Sequence, residues 1–230
     1  MTAKSASAIP AIRHRAKSPE QKALRRQQIL DAAAAHFAGA AFDKVNLIDI
    51  AQHIGITKAA LYRYFRSKET LFLALYLQQL EVMVASAEVL DTQQTPAEAC
   101  VEVINQNPLF CRLNAILHTV LEQNLTVAEA IDFKRELMPL MARFAQKISD
   151  WLGVSIPQAI GLLHHIQATM IGCWHIAHPS ETAAEAMKQT PFDHLLVDFK
   201  TVFHQHIHWL MAGFIEVQGD QSQSKEATHD

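Results

Sequence analysis

Leu47-Ile48-Asp49-Ile50-Ala51-Gln52-His53-Ile54-Gly55-Ile56-Thr57-Lys58-Ala59-Ala60-Leu61-Tyr62-Arg63-Tyr64-Phe65 reads as two short helices separated by Ile54-Gly55-Ile56. Asn46 is a cap for the first, with Asp49 three residues on, and Thr57 caps a second expected from Lys58 to about Phe65. Ala51, Gly55 and Leu61 stand at the spacing of a helix-turn-helix. A small residue at 51 lets the second helix cross closely over the first. Glycine at 55 takes up positive φ in a tight turn at little cost. Ile50, Ile56, Leu61 and Phe65 form a small core that holds the two helices at a fixed angle. Leu61 and Phe65 are four apart and face inward, so Ala59, Tyr62 and Arg63 point roughly the other way.

That outward face has the make-up of a reading head for nucleic acid. Lys58 sits in the first turn, where free N–H groups also favour phosphate. Tyr62 and Tyr64 offer hydroxyls to phosphate. Arg63 can bond a guanine edge with two hydrogen bonds, worth about 1–3 kcal/mol of discrimination. Ala59 allows close approach or touches a thymine methyl, and Lys68 can anchor a phosphate at the start of the next helix.

Upstream, Ser18-Pro19-Glu20-Gln21 combines a capping box with proline at the first helical position. Leu24, Ile29, Ala33 and Phe37 carry that helix to about Gly39. Residues 1–17, with Lys4, Arg13, Arg15 and Lys17 among Ala, Ser and Pro, read as a flexible basic arm without the apolar core of a secretory signal. Downstream, Ser67-Lys68-Glu69-Thr70 opens a helix to about Leu90. Others are expected near 96–105, 108–123, 126–151, 156–177 and 191–217, with a short one at 181–188. Their start signals include Thr95-Pro96, Asn107-Pro108, Thr126, Ser155-Ile156-Pro157 and Thr190-Pro191. Residues 218–230 read as a disordered tail. The expected fold is all-α, with a helix-turn-helix domain at 18–67 and a larger helical domain at 68–217.

Composition agrees. Only 7 Gly and 8 Pro punctuate 230 residues, which favours long helices. Half the residues are apolar, enough for a sizeable core, which excludes a disordered or collagen-like chain. Residues 1–70 hold 12 Lys and Arg against 5 Asp and Glu, whereas 71–230 hold 8 against 18. A basic first third on an acidic body points one end of the chain at a polyanion. Cys100, Cys111 and Cys173 form no CxxC pair, which speaks for a reducing cytoplasm and against a disulfide scaffold. Trp151–Ser180 lacks Asp, Glu, Lys and Arg, but His164, His165, Gln167 and His175 make it a poor membrane span. A helix buried between subunits fits it better.

Gln28-Ile29-Leu30-Asp31-Ala32-Ala33 through Phe37, then Asp49-Ile50-Ala51, then Gly55 to Phe65, and finally Ser67-Lys68-Glu69-Thr70-Leu71-Phe72, resembles the N-terminal domain of the TetR family of transcriptional regulators. The likeness covers about residues 22–72. It implies DNA contacts at Thr57, Lys58, Ala59, Tyr62, Arg63, Tyr64 and Lys68. Asn46 joins this set where the family usually has Thr or Ser. Ala41 stands where the family usually has Gly. Positive φ there would cost about 1 kcal/mol, unless Gly39 ends the first helix differently. The resemblance also implies that the helical body binds a small effector and dimerises through its last two long helices. A C2 homodimer calls for a roughly palindromic duplex operator. His118, Met138, Met141, Phe144, Cys173 and Trp174 are candidate walls of a site for a hydrophobic or aromatic ligand.

Eight of the 13 histidines lie between 164 and 208. His164, His175 and His178 share one helical stripe, and His204 and His208 are one turn apart. A metal-binding or metal-sensing protein built on this cluster is therefore one alternative. An architectural DNA-binding protein without effector is another. No GxxxxGK[ST], GxGxxG or HExxH is present, and Gly153-Val154-Ser155-Ile156-Pro157 lacks the second glycine of a nucleophile elbow. Neither an enzyme nor a cofactor is expected, and no metal site is assigned.

Overall fold

The computed structural model describes residues 18–89 and 93–226, the last eight as backbone only. The expected basic arm at 1–17 lies outside the described residues, as do positions 90–92 and 227–230. Among the described residues there is no strand. The chain divides into two compact units, one ending at Leu75 and the other starting at Tyr76.

In the first unit, α1 (Pro19–Gly39) begins at a reciprocal capping box. Ser18 Oγ accepts from the Gln21 N–H at 3.2 Å, and the Gln21 side chain accepts from the Ser18 N–H. The helix buries Ile29, Leu30, Ala32, Ala33 and Phe37. Ala41 has φ −61°, so the strain anticipated there is absent: α1 stops at Gly39 and a short 3₁₀ turn, Phe42–Lys44, follows. Next come α2 (Leu47–His53) and α3 (Lys58–Leu61). The start of α4 (Lys68–Glu88) is fixed by Ser67 Oγ, which accepts from the Thr70 N–H, and by Thr70 Oγ1, which accepts from the Ser67 N–H. The unit boundary falls later than the expected 67/68 because Phe72 is a core residue of the first unit. Its ring meets Phe37 and Phe42 edge-on, with centroids 5.1 and 5.0 Å away.

The second unit holds the rest of α4, then α5 (Pro96–Gln106), α6 (Pro108–Ile116), α7 (Val127–Leu152), α8 (Ile156–Ala177), α9 (Glu181–Met187) and α10 (Phe199–Glu226). Helix α10 packs on α8 and α5, and α8 also packs on α7 and α6. Thr95, Thr126 and Ser155 all close capping boxes, as their spacing to Glu98, Glu129 and Gln158 requires. The uncharged stretch at 151–180 is mostly α8, which buries Ala159, Leu162, Leu163, Met170 and Cys173. Helix α4 is long and apolar enough to cross a membrane, and half of that window is buried within the fold.

Two expectations for the C-terminal end are corrected. The helix expected over 191–217 is a 3₁₀ turn at Phe192–Leu195 followed by α10. Asp198 is the true cap, accepting from the Thr201 N–H at 2.9 Å and the Thr201 hydroxyl at 3.0 Å. The tail expected from 218 is helical to Glu226. Gln, Lys and Glu there are good helix formers and no proline intervenes.

Candidate nucleic-acid interface and internal cavity

The turn between α2 and α3 is a Schellman closure. Gly55 has φ +68°, its N–H donates to Gln52 O at 3.0 Å, and the Ile56 N–H donates to Ala51 O at 2.9 Å. No atom stands within 4 Å of where a Cβ would sit on Gly55. Backbone strain is then the whole cost of a side chain, and Gly55→Ala is expected to lower stability by about 1–2 kcal/mol in a urea titration. Arg25, only 4% exposed, donates from Nη1 to the Ile54 carbonyl at 3.4 Å, tying α1 to the end of α2. Sequence reading placed no role on Arg25.

Asn46 Oδ1 caps α2 through the Ile48 N–H at 2.9 Å, and Thr57 Oγ1 caps α3 through the Ala60 N–H at 3.1 Å. Leu61 and Phe65 are buried as expected, and the Arg26 guanidinium lies over the Phe65 ring. Helix α3 ends at Leu61 rather than near Phe65. Arg63 and Tyr64 close shorter i→i+3 bonds, to Ala60 and Leu61, that tighten the last turn. Thr57, Lys58, Ala59, Tyr62 and Arg63 are exposed together, with the Lys58 ammonium 5.7 Å from the centre of the Tyr62 ring. Tyr64 is half-buried. Lys68 is engaged internally: it donates to the Phe42 carbonyl and its ammonium lies 4.2 Å from the Phe42 ring centre. Burial holds its pKa below the ordinary lysine value, against the pull of Glu69 and Asp43.

The second unit holds a partly open cavity of about 280 Å³. Leu80, Met83, Phe110, Met141, Phe144 and Met170 make most of its wall apolar. A polar cluster interrupts it, and His118, Lys134, Lys147 and His164 add further polar groups to the lining. Asn114, 1% exposed, accepts at Oδ1 from the Tyr76 hydroxyl at 3.3 Å and from Gln167 Nε2 at 3.1 Å. Burial, with the Glu122 charge behind it, pushes the Tyr76 phenol above its ordinary pKa, so it remains a neutral hydroxyl. A π-helical turn at Leu117–Leu121, closed by the Glu122 N–H on Leu117 O, brings His118 to the lining. His118 Nδ1 pairs with Glu122 at 2.7 Å, and Lys134 bonds the other Glu122 oxygen. Burial raises the Glu122 pKa, and the bonds from Lys134 and His118 outweigh it, leaving the carboxyl below its ordinary range.

Family models match both units. Residues 29–75 match the family described as bacterial regulatory proteins, tetR family, and residues 73–218 match the tetracyclin repressor-like C-terminal domain. The chain belongs to the TetR family of transcriptional regulators. It is similar to the HTH-type transcriptional repressor Rv1474c of Mycobacterium tuberculosis (strain ATCC 25618 / H37Rv), with 40% identity over 70 residues. That match covers 30% of this chain and 37% of the repressor, so it spans little more than a third of that relative. The fold is similar to that of a tetR-family transcriptional regulator from Streptomyces coelicolor, with TM-score 0.54, 15% identity and 90% and 87% of the two chains covered. It is also similar to FadR from Bacillus subtilis, solved in complex with stearoyl-CoA, with TM-score 0.51, 16% identity and 81% and 98% covered.

Within this TetR-family chain, the structure brings three of the six residues expected at a ligand site to the cavity: His118, Met141 and Phe144. Met138 is 70% exposed, because it lies about 100° round α7 from the lining residue Leu137. Cys173 is buried a turn beyond Met170, outside the lining. Trp174 stacks instead on His178, with centroids 3.9 Å apart, and meets Phe199 edge-on. Tyr76, Asn114 and Gln167 were missed. Asn114 carried a signal: with Phe110, Leu113 and Leu117 it makes an i, i+3, i+4, i+7 face, and a lone amide on such a face asks for a partner.

The histidines disperse. His164 lines the cavity, His175 Nε2 lies 3.1 Å from Ala115 O, and His178 bonds Trp174 O. His204 and His208 remain a pair, with ring centroids 4.3 Å apart. Among the described residues no group of three or more His, Cys, Asp or Glu is placed to hold a metal ion. The three cysteines are free. Burial pushes the Cys100 and Cys111 thiols up to about 12. At pH 8 both are expected to react with iodoacetamide roughly a thousandfold more slowly than an unburied thiol, as read by mass spectrometry. The unfolded chain ionises first, so their contribution to stability is full below the ordinary thiol pKa and is lost as pH rises from there towards 12.

Proposed function

We propose that this TetR-family regulator is a cytoplasmic repressor that binds a palindromic operator as a homodimer and is released when a small apolar molecule fills its cavity. The observation that carries the reading is the joint exposure of Lys58, Ala59, Tyr62 and Arg63 on a helix whose other side, Leu61 and Phe65, is locked in a core. Arg63 reads a guanine edge, while Lys58, Thr57 and the Tyr62 hydroxyl position the phosphate backbone. Asn46 and Tyr64 flank them. Lys68, bonded to Phe42, acts by placing the start of α4 near the backbone. Release is a population shift: the ligand favours a spacing of the two heads that does not match the half-sites. Helix α4 supports the coupling, since one continuous helix starts in the first unit and supplies Tyr76, Leu80 and Met83 to the cavity wall.

The test is selection of bound sequences from random duplexes, at stated near-physiological salt because phosphate contacts make affinity strongly salt-dependent. Two inverted half-sites are the expected result. A folded protein that enriches no motif would overturn operator recognition and favour an architectural role. Selection repeated with fractionated cell extract then asks for release: a fraction that lowers operator occupancy is the expected result.

A further inference from the structure

The last turns of α1 and α2 bring two imidazoles together. His36 Nε2 lies 3.3 Å from His53 Nδ1, with ring centres 5.3 Å apart and ring planes at 67°. Two histidine nitrogens at roughly 2.0–2.1 Å from a tetrahedral zinc ion stand about 3.3–3.4 Å apart, with ring centres about 5.1–5.3 Å apart. Both separations match. A straight N–H···N bond of the observed length would set the ring centres roughly 5.6 Å apart, so the rings are inclined rather than in line. Their backbones are fixed by the core: Ala33 and Phe37 are buried on α1, and Ile50 and Ala51 on α2. The rings themselves reach water, His36 being half-buried and His53 exposed. His36 also stands in the last turn of the 21-residue α1, where free carbonyls favour a cation.

We propose that His36 Nε2 and His53 Nδ1 bind one zinc-type divalent ion, which clamps α1 to α2 in the DNA-binding unit. The chemistry of the pair selects the class of ion. Neutral imidazole nitrogens suit zinc and its transition-metal neighbours, whereas magnesium demands oxygen ligands. The proton balance is closed within the two rings. Their hydrogen bond uses one N–H and one lone pair, and the ion needs both lone pairs. The bridging proton therefore moves to the far nitrogen of its own ring, and each ring stays neutral with one N–H. Among the described residues no third His, Cys, Asp or Glu joins the pair. Water fills the other positions, so the ion exchanges freely and is not a structural zinc. The pair that sequence spacing favoured, His204 and His208, is the weaker candidate, because His208 Nε2 is shut off from solvent.

Titration of the full-length, tag-free protein with Zn²⁺ near neutral pH tests this. In a ¹H–¹⁵N spectrum of the imidazoles, His36 Nε2 and His53 Nδ1 are expected to move together and saturate at one ion per chain. Mg²⁺ should leave both in place. By calorimetry, His36→Gln and His53→Gln should each weaken Zn²⁺ binding at least about tenfold, since even loss of a partner behind a ligand costs that much. His204→Gln should leave the affinity of this site unchanged. Zn²⁺ should also raise the unfolding temperature of the first unit, because an ion that binds only the folded state stabilises it, and the rise should vanish in either variant. If a variant fails to fold, the spectrum of the unmutated protein decides. Zn²⁺ that moves neither ring, only one of them, or only His204 and His208 would overturn the site.

Discussion

Replacing Tyr62 and Arg63 together by alanine is expected to weaken binding to the selected duplex about a hundredfold, read by fluorescence anisotropy at fixed salt. An arginine bonded to a guanine edge contributes about 1–3 kcal/mol of discrimination, and a tyrosine–phosphate bond adds roughly 1 kcal/mol. The two residues are neighbours, so the effects need not add. Both side chains are exposed, so thermal unfolding should be unchanged within about 0.5 kcal/mol. Specificity should also relax at the base pair Arg63 reads. Lys58→Ala should instead weaken all sequences alike and lower the salt slope by about one. Binding of the double variant within twofold of the parent would sink the assignment of this face.

Phe72→Ala is expected to unfold the first unit outright. A buried phenylalanine cut to alanine costs about 3–5 kcal/mol. Phe72 also loses two edge-to-face ring contacts, each worth about 0.5–1.5 kcal/mol. A unit of this size has a total stability of about 4–11 kcal/mol, so little margin is left. Calorimetry should show the low-temperature part of the transition gone, operator binding lost, and the helical signal of the second unit retained. A variant that still binds its operator at 25 °C with full affinity would show that this aromatic cluster is not what holds the recognition helices.

The parts of this molecule legible in its sequence are those decided locally. Ser18, Asn46, Thr57, Thr95, Thr126 and Ser155 announced helix starts because a cap needs only its own next three residues. Gly55 announced the turn because only a residue without Cβ takes positive φ freely. Where two local signals competed, the choice failed: Thr190-Pro191 looked like the start of the last helix, and Asp198 with Thr201 made it. The cavity was legible only in outline. Met138 and Met141 are equally apolar and three apart on one helix, and only the packing of α7 against its neighbours decides which faces inward. The Asn114 cluster joins residues 38 and 53 positions apart in the chain, a distance that no periodicity spans.

The π-helical turn at Leu117–Leu121 holds one residue more than an α-helix needs over the same path. Loss of a single codon there, Thr119 for instance, would restore regular pairing and rotate everything downstream by about 100°. Glu122 would swing away from His118, while Asn114, upstream, would keep its place. One deletion would thus redraw the His118–Glu122 edge of the lining and leave the α6 face that carries Phe110 and Asn114 in register.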